Sequence, residues 1–337
     1  MINELFSKAK SLFTNEFVLS TNAYNRSDIG QIKADLRLLH PKQDNKASNH
    51  RCQQQMEALY IDYFCRDFEA EERIYTPEHY HHTLFQDLKS PTYRVSLTQQ
   101  LPHAISRLLY ASRHHLNNEE SSQTLLLCPL IKREALHLAN MAPFAQENLL
   151  ENFADMKNKM GHAEFLAVIC TAVLKQHCIS ANTSILEKQL FEDGLRNAYI
   201  CLCLAQKDDE DGVSAFISGY MHFISLIYLH RELLAYEIAP PKTILLAEIT
   251  EFFPKFTYWL AKDWGLPDNV LSALRARFID KQELSGLSAI IQTADHSNLT
   301  LMLCKEKLIS AKQTQQFIHA MGLSEFNLSE QLFSTQH

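Results

Sequence analysis

Apolar residues recur along most of this chain at intervals of three and four, the spacing that lines one face of an α-helix. Between Gln54 and Phe68 the stripe is Met56, Leu59, Tyr60, Tyr63, Phe64 and Phe68. Six such side chains are too apolar to stay solvated; they are expected to bury against the segment that follows the short joint at Lys89–Ser96, the N-terminal stretch itself or a second subunit being the other occupants. The stretches Leu101–Leu109, Leu125–Leu138, Phe165–Leu174 and Ile185–Ala205 read the same way. Phe256–Trp264 reads as a helix closed by Gly265, with Pro267 opening the next. Ser90-Pro91 and Thr76-Pro77-Glu78 place proline in a first helical turn. Strict alternation, the mark of a half-buried strand, is almost absent. The predicted class is all-α.

Two segments need separate readings. Ile2, Leu5, Phe6, Leu12, Phe13 and Phe17 predict an amphipathic helix over Met1–Ser20. Glu4, Lys8, Lys10 and Glu16 interrupt any signal-peptide core. That helix is expected to pack on the chain's own core, a partner or a second copy being the other occupants. Val213–His230 carries no Asp, Glu, Lys or Arg, but it includes Ser214, Ser218, Gly219, His222, Ser225 and His230. It is too short and too polar for a membrane span. It reads as the central buried helix, with the acidic run Asp208–Asp211 favouring its N-terminus.

Polar stretches mark the joints. His40–Arg51 is a charged, proline-bearing loop, Lys89–Ser96 a second joint, and Glu237–Lys242, with Pro240-Pro241, a hard break. No repeat of 20 to 50 residues is visible, which disfavours a regular solenoid.

Composition narrows the classes. The 337 residues are 46% hydrophobic and 21% charged, an ordinary globular balance. Only 8 are glycine, and neither GxGxxG nor GxxxxGK[ST] occurs, which disfavours a Rossmann or P-loop enzyme. The net charge of −7, with 32 scattered Lys and Arg, argues against nucleic acid as a partner. None of the 8 cysteines forms a CxxC pair, so reduced buried thiols in a cytoplasmic protein are expected. His79-Tyr80-His81-His82 and His114-His115 lack any matching Cys or carboxylate spacing and read as surface histidines.

From Leu101 to Asp295 four segments, in order, resemble the HDOD domain, the signalling branch of the HD phosphohydrolase superfamily. Leu101-Pro102 and the helix to Leu109 resemble its opening Leu-Pro helix. Cys128-Pro129-Leu130 through His137-Leu138-Ala139-Asn140-Met141 resembles its DPxL…LLRLANS helix, with Cys128 in place of the acid. Ala215-Phe216-Ile217-Ser218-Gly219-Tyr220-Met221-His222-Phe223-Ile224 resembles AFxAGLLHDIG. Trp264-Gly265-Leu266-Pro267, with Val270 and Ala273, resembles WxLPxxVxxAI, and Ala294-Asp295 falls where the family tends to carry Ala-Asp.

The resemblance implies a divalent-metal pocket and also its decay. A hard oxygen beside an imidazole nitrogen holds such a metal, and the metal activates water for attack on phosphorus. Here the dyad position reads His222-Phe223, and phenylalanine ligates nothing. The outer histidine falls near Asp193, the later histidine pair reads Arg277-Phe278, and the following lysine reads Leu226. The pocket candidates are therefore Asp193, His222, Asp295 and Arg277; Asp295 is expected to cap a helix or to pair with an arginine such as Arg275 or Arg277, the family position pointing to Arg277. Three readings of His222 stay open: a histidine satisfied inside a buried helix, a member of a vestigial ligand pocket, or a metal ligand. The resemblance gives an HDOD-like helical domain over residues 91–300, with helical extensions at 1–90 and 301–337. The function it implies is a non-catalytic, bacterial-type signalling module with a protein partner. Homo-oligomerisation through the Phe-rich N-terminal helix is compatible with it. No cofactor, nucleic acid or membrane is expected. The alternative is a phosphohydrolase acting on a nucleotide or phosphoester, which alone would require a divalent metal.

Overall fold

The computed structural model describes residues 78–98, 103–141, 149–180, 183–208, 210–235, 242–279 and 286–305, together with Phe64, Phe144, Ile309, Ser310 and Lys312. The described residues form α-helices joined by short turns, with no strand among them. In chain order these are α1 (Glu78–Lys89), α2 (Pro91–Thr98), α3 (His103–Arg113), α4 (Asn118–Leu125), α5 (Pro129–Ala139) and α6 (Phe153–Lys159). They continue as α7 (His162–Cys178), α8 (Ile185–Lys207), α9 (Gly212–Ala235), α10 (Lys242–Asp263), α11 (Asp268–Ile279) and α12 (Gly286–Lys305). The all-α class is as the periodicity predicts. The chain divides into two compact units, Ile61–Asp295 and Met1–Tyr60 with His296–His337. Of the second unit, residues 296–305 are the closing turns of α12, where Thr300 Oγ1 donates to the His296 carbonyl at 2.8 Å. The predicted N-terminal helix, the His40–Arg51 loop and the Pro240-Pro241 break lie outside the described residues. So does the Met56–Phe68 stripe except Phe64, which is fully buried edge-on to His230.

The first unit is built around α9. Nearly every residue from Val213 to Leu233 is buried, and α8 runs antiparallel along it, with α7, α10 and α11 closing around the remainder. By length and composition α9 could cross a membrane, but 94% of its apolar window is covered by protein. The expectation of a central buried helix therefore holds. Of the acidic run before it, Asp211 forms the cap. Its carboxylate accepts from Val213 N at 3.0 Å, Ser214 N at 3.3 Å and the Ser214 hydroxyl at 2.6 Å. The Ser112 hydroxyl of α3 adds a fourth bond at 3.2 Å. One side chain thus satisfies orphan amides at the helix start and ties two helices together.

Helix ends explain where the sequence reading slipped. Leu125–Leu138 is two helices, because Leu126 turns left-handed at φ 46° and Pro129 then opens α5. The joint at Lys89–Ser96 shrinks to Ser90, since 91–98 is helical behind Pro91. Arg94 secures this corner. It donates to the carbonyls of Leu88 and Lys89 at 3.1 and 2.7 Å, pairs with Asp263 at 2.6 Å and lies 5.2 Å from the Trp259 ring centre. Helix α10 starts well before Phe256 and runs through Pro254. The missing N–H there is tolerated because Phe252, Phe253 and Phe256 are anchored in the core. Gly265 closes α10 as expected. At φ 66° it donates to Lys262 O at 2.9 Å, and Leu266 N donates to Ala261 O at 3.0 Å, the paired bonds of a left-handed glycine cap. Among the described cysteines, Cys170, Cys178 and Cys201 are buried free thiols, whereas Cys128 is exposed, contrary to the expectation of burial. It stands ahead of Pro129, where the chain turns through solvent. His114 and His115 are exposed, as predicted.

Candidate functional site

The site lies where α8 and α9 approach most closely. Two glycines make that approach possible. A Cβ on Gly194 would come within 2.7 Å of Phe223 Cβ and of the Tyr220 ring. A Cβ on Gly219 would come within 2.5 Å of Cys201 Sγ and 3.2 Å of Ala198 Cα. Each helix thus brings a bare backbone to the other's side chains. Asn197 of α8 exploits the approach. Its Nδ2 donates to the Gly219 carbonyl at 2.9 Å and to Asp295 Oδ1 of α12 at 2.7 Å. Both are acceptors, which fixes the amide with Nδ2 toward them.

Asp295 is the hub. Its Oδ2 is in ionic contact with Arg277 of α11 and lies 4.0 Å from His222 Nδ1, beyond hydrogen-bond reach. The sequence-derived candidates His222, Arg277 and Asp295 therefore meet at one point, each with less than a fifth of its side chain exposed. His222 is also wedged between aromatic rings, 5.3 Å from Phe223 and 4.8 Å from Phe253, edge to face. Burial lowers its pKa to about 4; the Asp295 charge opposes this and the Arg277 charge reinforces it. The imidazole is neutral at pH 7. Phe223 is buried beneath Gly194, as part of the α8–α9 seam.

Asp193 stands one turn before Asn197 on α8, buried, with its carboxylate 2.7 Å from Arg196 three residues on. It is Asn197 that knits the cluster together. Asn197 escaped the sequence reading: in the sequence it is only an amide at the start of the apolar run 198–205, and its complete burial is a result of the packing. A second charged cluster lies toward the far end of the same helix pair. Glu187 Oε2 receives Arg231 at 2.9 and 3.0 Å, and its Oε1 lies 3.3 Å from His230 Nδ1. Burial works against the Glu187 charge, but His230 and Arg231 outweigh it and hold its pKa below the usual carboxylate value. Arg231 also donates to the Cys178 carbonyl, so this cluster locks α7, α8 and α9 together.

Chemically, the site holds one carboxylate, one neutral imidazole, one amide and one guanidinium. Among the described residues no group of three or more His, Cys, Asp or Glu is placed to share a metal ion. The cation beside Asp295 is the guanidinium of Arg277. The residues present do not fit the metal pocket implied by the resemblance. The dyad acid is a phenyl ring, and the surviving acid is already neutralised.

No family model and no curated protein matches the chain. A solved structure described as a "putative phosphohydrolase" from Shewanella amazonensis is similar to it at 16% identity, covering 74% of this chain and 97% of that one, with a TM-score of 0.46. A superposition of that quality transfers neither a residue role nor an activity to this chain.

Proposed function

We propose that this protein is a non-catalytic signalling or interaction module of HDOD type, presenting a helical surface to a protein partner. The observation that carries the reading is the Arg277–Asp295 ion pair beside His222, with Phe223 buried in the adjacent seam. Hydrolysis of a phosphoester in such a pocket needs a metal-bound water, and a metal normally needs at least three protein ligands. Here the one retained acid faces an internal cation. The opposing reading, a metal-dependent phosphohydrolase, draws on the approach of His222 and Asp295. Phosphomonoesters, phosphodiesters and nucleotides are to be screened with Mn2+, Mg2+, Ni2+ and Fe2+, and no turnover above background is expected. Turnover that disappears in a folded His222→Ala variant would overturn the reading.

A further inference from the structure

We propose that the outer face of α5, the row Leu130, Arg133, His137 and Met141, docks a helix of a protein partner that carries carboxylates beside its apolar stripe. The inference rests on the interaction-module reading and deepens it, by naming the surface and the chemistry of what binds there.

Positions 130, 133, 137 and 141 follow one another at three- and four-residue steps, so they fall on one side of the helix. Met141 lies just past the C-cap Asn140, and its N–H still donates to Leu138 O at 3.0 Å, which carries the turn far enough to keep it in the row. The opposite side of α5 is the packed one: Ala135, Leu138 and Ala139 are buried, and the helix lies against α7. Leu130, Arg133, His137 and Met141 are all exposed. Among the described residues eight large apolar residues are exposed, and four of them, Leu126, Leu130, Met141 and Leu149, belong to this helix or to the turns that flank it. Leu149 is held at the Met141 end, because the Asn140 side chain bonds the Leu150 N–H at 2.8 Å and the Leu150 carbonyl at 2.9 Å. Leu126 precedes the Cys128-Pro129 turn at the other end. From Leu130 to Met141 the row runs about 16 Å, roughly three helical turns. That length suits the apolar stripe of a second helix packed ridge into groove.

Charge selects the partner. Arg133 stands within the row, and among the described residues no carboxylate pairs with it. Its neighbour Glu134 is taken by Lys175 of α7 at 2.7 Å, and Lys132 lies 5.7 Å from the Phe153 ring centre. The row thus keeps a fixed cation between two apolar side chains, in a chain whose net charge is −7. Methionine and arginine are residues that interfaces favour, but a cation covered without a counter-ion is costly. A partner carboxylate removes that cost. A second copy of the chain would bring the same row, which has no carboxylate to offer, so self-docking would leave Arg133 unpaired.

The test is fluorescence anisotropy of two labelled helical peptides titrated with the full chain. Each peptide is about 18 residues long, enough to hold a helix. Both carry leucine at three-to-four spacing; one flanks that stripe with glutamate, the other with lysine. Wild type should bind the glutamate peptide at least ~10-fold more tightly than the lysine peptide. Arg133→Glu should invert the preference. Leu130→Ser/Met141→Ser should weaken the glutamate peptide on the order of 10-fold. Ile185→Ser, which alters an exposed residue at the start of α8, should change nothing. Every substituted residue is exposed, so the variants should melt as wild type does. Wild type that binds neither peptide, or both equally, refutes the docking surface. A preference for glutamate that survives Arg133→Glu refutes it too. Sedimentation equilibrium reads the remaining outcome: a wild-type dimer that dissociates in Leu130→Ser/Met141→Ser would make this face a contact between copies and overturn the proposal. Each of these results leaves the non-catalytic reading standing. Turnover in the hydrolase screen is the separate result that refutes that reading.

Discussion

Gly219 packs against Cys201 with no space for a methyl group between them: a Cβ on the glycine would stand 2.5 Å from Sγ and 3.3 Å from Cys201 Cβ. The backbone of Ala198 lies 3.2 Å away on the same side. The contact sets the distance between α8 and α9, and through it the reach of Asn197 to both the Gly219 carbonyl and Asp295. Gly219→Ala is expected to destabilise the protein by about 1–3 kcal/mol, the usual range for overpacking a filled core. Cys201→Ala in the same chain should return part of that loss by removing the nearer atom. Urea unfolding of both variants checks this, and additive losses would show that the two side chains do not compete for one space.

The burial of α9 can be tested directly. Ile224 and Ile227 are both fully buried. Ile224→Asp or Ile227→Asp places a charge among apolar side chains and should cost about 4 kcal/mol or prevent folding. Thermal melts at wild-type temperature for either variant would contradict the central position of this helix.

His222 makes stability depend on pH in one direction. In the unfolded chain its imidazole titrates at 6.5, and in the folded chain at about 4. Between those values the unfolded chain holds a proton that the folded chain lacks. The contribution is therefore complete above pH 6.5 and declines as the pH falls toward 4. At about 1.4 kcal/mol per pKa unit, the part at stake over the whole shift is on the order of 3 kcal/mol. Wild type should lose about 2 kcal/mol more than His222→Gln between pH 7 and pH 4.5. Denaturant titrations at the two pH values measure the difference, and equal losses would show that His222 is protonated in the fold.

Leu126 offers a gain. It holds φ at 46° at the end of α4, and the residue is 73% exposed. A left-handed backbone costs a non-glycine residue about 1–2 kcal/mol, and glycine avoids this at a smaller cost in unfolded-chain entropy. Leu126→Gly should raise stability by about 0.5–1 kcal/mol, while Leu126→Ala, which keeps the strain, should not. A fall in melting temperature for the glycine variant would mean that the exposed leucine packs on something in solution.

Local signals determined much of this protein from the sequence alone. The three-to-four spacing of apolar residues made the class all-α, and the charge-free run to His230 made one helix central, because periodicity and hydropathy act within one element. Gly265 marked a helix end for the same kind of reason, since the left-handed cap is a property of a single residue. Tertiary structure decided the rest. Leu126 carries no turn-forming side chain, so the break between α4 and α5 was invisible in its apolar spacing. Pro254 was absorbed into α10 because buried phenylalanines around it hold the helix against the loss of a hydrogen bond. The resemblance nominated His222, Arg277 and Asp295, but their meeting depends on how three separate helices, α9, α11 and α12, pack together. Asn197 enters only when α8 and α9 come close enough at Gly194 and Gly219 for an amide to bridge them. Spacing along a chain encodes which face a residue occupies, whereas the charge balance of a buried site is set by which faces are pressed together.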